Sequence, residues 1–240
     1  RKKELKKEKL RRAIEERQRQ KLKKKSLEIA FTDLLVNYNK VGDFSDIKLL
    51  NSTNYAKVFY AKYHLDRNTL DVVIKYRYDI PKYENELKFQ TLAAQLNIAP
   101  RIYKNGIFEI SSDYQYASLF HSRYSLIIME YLKPDEWITL NQLEEREEYN
   151  YQKYLENICL AINTLHQNNI AHRDLHSYNI MVNIRHQYIP NNVLIIDYDD
   201  ATHIKKGDNP WLVERSGYGA KDGGFKEICN NKRKYLIKYY

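Results

Sequence analysis

Glycine is scarce. The 240 residues hold seven, and only Gly42 and Gly106 precede Gly207, so no cluster of glycines stands anywhere in the first 200 positions. Cysteine is scarcer. Cys159 and Cys229 stand apart with no CxxC and no histidine cluster, which argues against a disulfide framework or a thiolate zinc site and for a reducing, intracellular setting, cytoplasm or nucleus. Long apolar runs are missing: stretches such as Leu126-Ile127-Ile128-Met129 are short, and nothing approaches the roughly 18 residues that cross a bilayer. No charged-then-apolar signal segment opens the chain, which starts at Arg1. Disorder is excluded as well, because 43% hydrophobic and 30% charged residues describe a globular chain of one or at most two domains.

The net charge of +9 is concentrated. Residues 1–25 carry 14 Lys and Arg against 4 Glu, whereas the remainder carries 26 basic and 27 acidic side chains. From Arg1 to about Val36 there is no Gly or Pro, and good helix formers dominate. Leu5, Leu10, Ile14 and Leu22 are too sparse for a heptad seam. The expectation is a solvent-exposed helix that docks only at Leu27, Phe31, Leu34 and Leu35. Residues 1–25 either attach electrostatically to nucleic acid or an acidic protein, or are a solvated helix. The lack of aromatic residues before Phe31 argues against base stacking.

Strand signals follow. Tyr55–Ala61 alternates, Asp71–Tyr76 is β-branched, and Asp66-Arg67-Asn68 makes a turn between them. Pro81 precedes a helical pattern over 82–96, with Phe89, Leu92, Ala93 and Leu96 on one side. Two more strands are expected over Arg101–Glu109 and Tyr124–Tyr131. Beyond Pro134 the pattern turns helical, and Leu155, Ile158, Ile162 and Leu165 trace a buried stripe.

Three segments bear chemistry: Val73-Ile74-Lys75, then His172-Arg173-Asp174-Leu175-His176-Ser177-Tyr178-Asn179, then Leu194-Ile195-Ile196-Asp197-Tyr198-Asp199. The second places Asp174 and Asn179 five residues apart in a loop between a buried helix and the apolar Ile180-Met181-Val182. Phosphoryl transfer needs a carboxylate near the incoming hydroxyl and hard oxygen ligands for magnesium. Asp174 and Asn179 supply both, and Asp197 adds a second metal ligand at a strand end.

With these segments the sequence resembles the protein-kinase superfamily from about Val41 to at least Ala201. His172-Arg173-Asp174…Asn179 is similar to the catalytic loop HRDxxxxN, Asp197-Tyr198-Asp199 takes the place of the DFG metal motif, and Val73-Ile74-Lys75 that of the VAIK strand. The resemblance implies an α+β, two-lobed fold: a basic helical extension (1–40), a β-rich N-lobe with the nucleotide-binding strands and one helix (41–132), and a truncated, mostly helical C-lobe (133–240). It implies ATP and Mg2+ as cofactors, a protein substrate, and transfer of the γ-phosphate to serine or threonine. Asp174 would take or orient the hydroxyl proton, Lys75 would grip the α/β-phosphates, and Asn179 and Asp197 would hold the metal. Glu86, with Glu84 as runner-up, would hold Lys75 from a helix face shared with Gln90 and Ala93. Met129 would be the gatekeeper, and Glu130 and Leu132 would offer backbone groups to the adenine edge.

The departures from the pattern are equally specific. The glycine positions of the phosphate loop correspond to Asn51, Thr53 and Ala56, ahead of Val58, so the loop should be stiffer, or Lys57 should compensate. His176 stands where a phosphate-contacting lysine is usual, and HRDLH followed by an Asp-Tyr motif resembles the haspin-type atypical kinases; His176, neutral or protonated, would still donate to the transferring phosphate. Asp199 replaces the DFG glycine, removing a hinge, and Asp199 and Asp200 read as turn residues rather than extra metal ligands. Only 43 residues follow Asp197, with no Ala-Pro-Glu motif; Asp222 is the expected buried anchor of the catalytic loop, and no phosphate acceptor stands out among Thr202, Ser216 and Tyr218. The Lys-, Asn-, Ile- and Tyr-heavy composition also resembles kinases of large DNA viruses. A pseudokinase scaffold and a small-molecule phosphotransferase remain the alternatives.

Overall fold

The computed structural model describes residues 2–146, 152–185, 192–214, 225–226 and 229. Two compact units are present: Arg1–Tyr78 with Asn105–Ile128, and Asp79–Lys104 with Met129–Tyr240. Among the described residues no helix is long and apolar enough to cross a membrane.

The first unit is a sheet covered by a helix. Helix α1 (Lys2–Asp33) runs into one wider turn, Leu34–Tyr38. Strands β1 (Asp43–Ser52), β2 (Ala56–Leu65), β3 (Asn68–Arg77), β4 (Ile102–Glu109) and β5 (Arg123–Glu130) form a sheet in the order β1-β2-β3-β5-β4. Strands β2 and β3 pair over their whole length, from Ala56 opposite Arg77 to Leu65 opposite Asn68, and turn at Asp66-Arg67 with Asp66 at φ +46°. Because side chains alternate across a strand, Phe59, Ala61, Val72, Ile74 and Tyr76 share one face. All five are fully buried there.

The end of α1 closes that face. Ala30, Phe31, Leu34 and Leu35 are fully buried, while Leu27 is half-buried. The Phe31 ring stacks on Phe59 at 3.8 Å and meets Tyr76 edge-on at 6.1 Å. Polar fasteners surround this apolar contact: the Leu49 N–H donates to the Glu28 carboxylate at 2.7 Å, the Tyr114 hydroxyl donates to Asp33 at 2.8 Å, and Asn39 donates to the Tyr124 hydroxyl. Residues 6–26 of α1 stay solvated, with Glu8 alone half-buried. The helix is therefore half arm and half core.

The second unit opens with α2 (Ile80–Gln95), whose first turn carries Pro81 and is capped by Asp79 accepting from the Lys82 N–H at 3.2 Å. Next come β6 (Trp137–Thr139), α3 (Leu140–Glu144), α4 (Gln152–Gln167), β7 (Ile170–Ala171), β8 (Ile180–Asn183), β9 (Val193–Ile195), β10 (Thr202–His203) and α5 (Pro210–Glu214). Strands β6-β8-β9 make one small sheet and β10-β7 another. The expected stripe on α4 is buried, and its Ile158, Ile162 and Leu165 share a core with Phe89 and Ala93 of α2.

Two expectations are corrected here. The chain beyond Pro134 is not helical at once, because Trp137–Thr139 pairs with Met181–Asn183 as a strand. The two cysteines are not separate: Cys159 on α4 is bonded to Cys229, with Cα atoms 5.3 Å apart and both residues in the apolar core. Seventy positions separate them in the chain, so only the packing of the core brings them together.

Candidate active site

The loop after β7 is built around Asp174. The Asn179 side-chain amide donates to the Asp174 backbone carbonyl at 3.0 Å and to its carboxylate at 3.1 Å. His176 Nε2 lies 3.4 Å from the same carboxylate oxygen. Burial pushes the Asp174 carboxyl above the ordinary range; His176 and His172 oppose that rise, and Asp197 and Asp200 add to it.

The loop is held from behind by a residue that motif reasoning missed. Glu214, at the end of α5 and 3% exposed, accepts the His172 N–H at 2.8 Å and the Arg173 N–H at 2.6 Å, and it contacts His166 Nε2 at 3.0 Å. Consecutive amides converging on one carboxylate fix the local backbone, and Arg173 adopts φ +68° there. Glu214 thus anchors this backbone; Asp222, the anchor expected from the sequence, lies with Ser216 and Tyr218 outside the described residues. Nothing in the spacing marks Glu214, whose significance is purely tertiary.

The Asp197 segment reaches this loop through sheet register. Ile180 pairs with Ile195, and one step further the Ile196 N–H donates to the Asn179 carbonyl at 2.9 Å. Asn179 and the residue before Asp197 are therefore adjacent. His172 Nε2 contacts the Ile196 carbonyl at 3.0 Å, and fully buried Tyr198 meets the His172 ring edge-on at 4.8 Å. Asp197 sits at φ +69°, ψ +64°, a left-handed conformation that aspartate tolerates better than most residues. With its amide nitrogen engaged on Asp174, Asn179 has a carbonyl oxygen to offer. That oxygen and the Asp197 carboxylate are hard oxygen donors, the chemistry that magnesium takes together with phosphates.

The remaining candidates of this unit lie on α2 and the segment around Met129. Glu86, Gln90 and Ala93 form a buried face of α2. Gln90 donates to the Pro100 carbonyl and the Met129 sulfur, both at 3.3 Å, so Met129 is held in place. The Glu130 N–H donates to the Arg101 carbonyl at 2.8 Å and its carboxylate accepts the Arg101 N–H at 3.3 Å. Leu132 is half-buried. Asp199 and Asp200 lie in a helical turn, where Lys82 Nζ stands 3.5 Å from the first carboxylate and 3.3 Å from the second.

In the first unit, Lys75 is the cross-strand partner of Val58 and shares its face with Tyr60 and Val73. Lys57 lies on the opposite face, 5.3 Å above the Tyr76 ring. The turn between β1 and β2 needs none of the missing glycines: no residue from Asn51 to Ala56 has positive φ. Thr53 makes the turn instead. Its hydroxyl accepts the Tyr55 and Ala56 N–H groups at 3.2 and 3.0 Å, its own N–H donates to the Ala56 carbonyl at 2.9 Å, and the Tyr78 hydroxyl donates to the Asn54 carbonyl at 2.8 Å.

No curated protein matches the chain. The protein kinase domain, as a family, matches residues 44–221, about three quarters of the sequence. Spanning the β1–β5 sheet, the Asp174 loop and the Asp197 motif, that match establishes that the chain belongs to the protein kinase family.

Proposed function

We propose that this kinase transfers the γ-phosphate of ATP to serine or threonine hydroxyls of protein substrates in a magnesium-dependent reaction. The observation that carries the proposal is the pairing of Asp174 with Asn179, seated by Glu214. A carboxylate fixed at its backbone and oriented by an amide is suited to receive a hydroxyl proton. Asn179 and Asp197 are the residues that would hold the metal, which when bound neutralises developing phosphate charge. Lys75 is assigned the α/β-phosphates and Glu86 the charge that holds it. Met129, Glu130 and Leu132 are assigned the adenine side, and Asn51, Thr53, Ala56 and Val58 the phosphate-loop side. His176, beside the Asp174 carboxylate, is assigned a donor role toward the transferring phosphate.

Positioning and charge supply most of the rate in such a reaction. Asp174→Ala should therefore abolish transfer, by at least about a thousandfold, while fold and nucleotide binding persist. Turnover retained in that variant refutes the assignment. The two departures that favour a scaffold without turnover have local explanations: Thr53 closes the loop without glycine, and Asp199 faces Lys82. Radiolabel transfer to acidic, basic and histone-like proteins against small alcohols separates a protein kinase from a small-molecule phosphotransferase.

The arm is assigned to nucleic acid rather than to an acidic protein. At 3.6 residues per turn, Lys6, Lys9, Arg17, Lys21, Lys24 and Lys25 fall within about 160° of arc. Glu8, Glu15 and Glu16 lie outside that arc, and Glu8 and Glu15 engage Arg11 and Arg12. Leu10, Ala13, Ile14 and Gln20 share that arc, so the stripe carries positive charge and no carboxylate, which suits a phosphate backbone. Removing residues 1–25 should weaken binding to duplex DNA or RNA and flatten its salt dependence. Binding that is unchanged, or insensitive to salt from the outset, overturns the assignment.

A further inference from the structure

We propose that Lys82 and Asn85 are positioning residues that clasp the Asp197-Tyr198-Asp199 segment in a single conformation, so that the phosphate-transfer site is assembled without phosphorylation of the chain. The inference rests on the kinase reading for its functional half and on geometry alone for its structural half.

Lys82, Asn85 and Phe89 are spaced i, i+3, i+7 and so lie along one stripe of α2. All three meet the residues that follow Asp197. The Asn85 amide donates to the Asp199 carbonyl at 2.9 Å and to the Ala201 carbonyl at 2.8 Å, so both carbonyls are held by one side chain. Lys82 Nζ bridges the Asp199 and Asp200 carboxylates, and the Phe89 ring meets His203 edge-on at 4.9 Å. From the other side, Tyr198 is fully buried against His172.

The backbone is tied along the same stretch. β9 pairs with β8, the Ile196 N–H donates to Asn179, the Ala201 N–H to Tyr198 at 3.2 Å, and the Ile204 N–H to Asn169 at 2.8 Å. Thr202 and His203 pair with β7. A glycine at position 199 would be free to rotate. Aspartate has less backbone freedom, and its carboxylate points to an ammonium on α2. Asp199 is therefore part of the clasp and not an added metal ligand. Because Glu86 immediately follows Asn85 on α2, the clasp also fixes that buried carboxylate relative to Asp197.

The test uses phosphatase-treated full-length protein and four variants: Asn85→Ala, Lys82→Ala, Lys82→Arg and Asp199→Gly. Amide hydrogen exchange over residues 197–203 needs no turnover, and steady-state kcat and KM on a protein substrate report function. The phosphatase-treated parent should keep its full kcat. Asn85→Ala and Lys82→Ala should exchange faster across 197–203, by about tenfold for the loss of two hydrogen bonds. Their kcat should fall by a similar factor with substrate KM unchanged, and Lys82→Arg should restore most of it.

Unchanged exchange in both alanine variants overturns the clasp. A parent that loses activity on phosphatase treatment and regains it on rephosphorylation overturns the regulatory half. Asp199→Gly that shifts the Mg2+ half-saturation while exchange stays slow would make Asp199 a ligand instead. A parent with no transfer at all would defeat the kinase reading, yet the exchange measurements would still decide the clasp.

Discussion

Asp174 shows how a single carboxyl is charged against its surroundings. Its folded-state pKa lies above the ordinary 3.8, chiefly because it is buried. The protonated form is thus favoured on folding, and this stabilising contribution is complete below about pH 3.8 and lost as pH rises through the folded-state value. At pH 7 the ionised side chain is therefore a burden. Asp174→Asn should raise Tm at pH 7 while eliminating activity, and the gain should vanish in thermal melts taken below pH 3.8. An equal or lower Tm at neutral pH would contradict this. Residue identity was the most legible level of the sequence. Lys75, Asp174, Asn179 and Asp197 sit in short patterns that are read locally, before any fold is known. Glu214 was invisible because its function is to receive two amides 41 and 42 positions earlier in the chain, and no local pattern encodes that.

At the scale of elements, α1 divides at about residue 27. Phe31→Ala removes a ring stacked between helix and sheet and should cost about 3–5 kcal/mol in urea unfolding. Leu10→Ala or Leu22→Ala, at side chains 63% and 67% exposed, should change stability by less than about 0.5 kcal/mol. Equal losses at both ends would mean that the arm is packed and not solvated. The i, i+4, i+7, i+8 spacing of Leu27, Phe31, Leu34 and Leu35 made the docked end readable, as did the alternation in β2 and β3. Trp137–Thr139 was not readable, since a strand of three residues takes its state from its partner β8 and not from its own period. The turn at Thr53 escaped for a related reason: glycine is one route to a tight turn, and a threonine hydroxyl accepting two amides is another.

Across the whole molecule, the Cys159–Cys229 bond joins α4 to the segment containing Phe225. A crosslink closing so long a loop is worth about 2–5 kcal/mol, mainly through the unfolded chain. Cys159→Ser should therefore lower stability by that amount, and a reductant should lower the parent's Tm but not the variant's. Reductant-insensitive melting of the parent would show that the thiols are not joined in solution. Composition made the charge division plain but gave no hint of this bond, because two distant cysteines carry no spacing signal.

The Glu214 anchor has a consequence for the order of events during synthesis. A nascent chain that has left the ribosome only as far as Asp197 already holds Lys75, Asp174, Asn179 and Asp197, yet the carboxylate that seats the His172–Arg173 backbone has not been made. If Asp174 acts as proposed, competence arrives late and at once, when α5 folds back onto a loop translated some forty codons before, and ribosome-bound fragments ending before Glu214 should be inert whatever motifs they display.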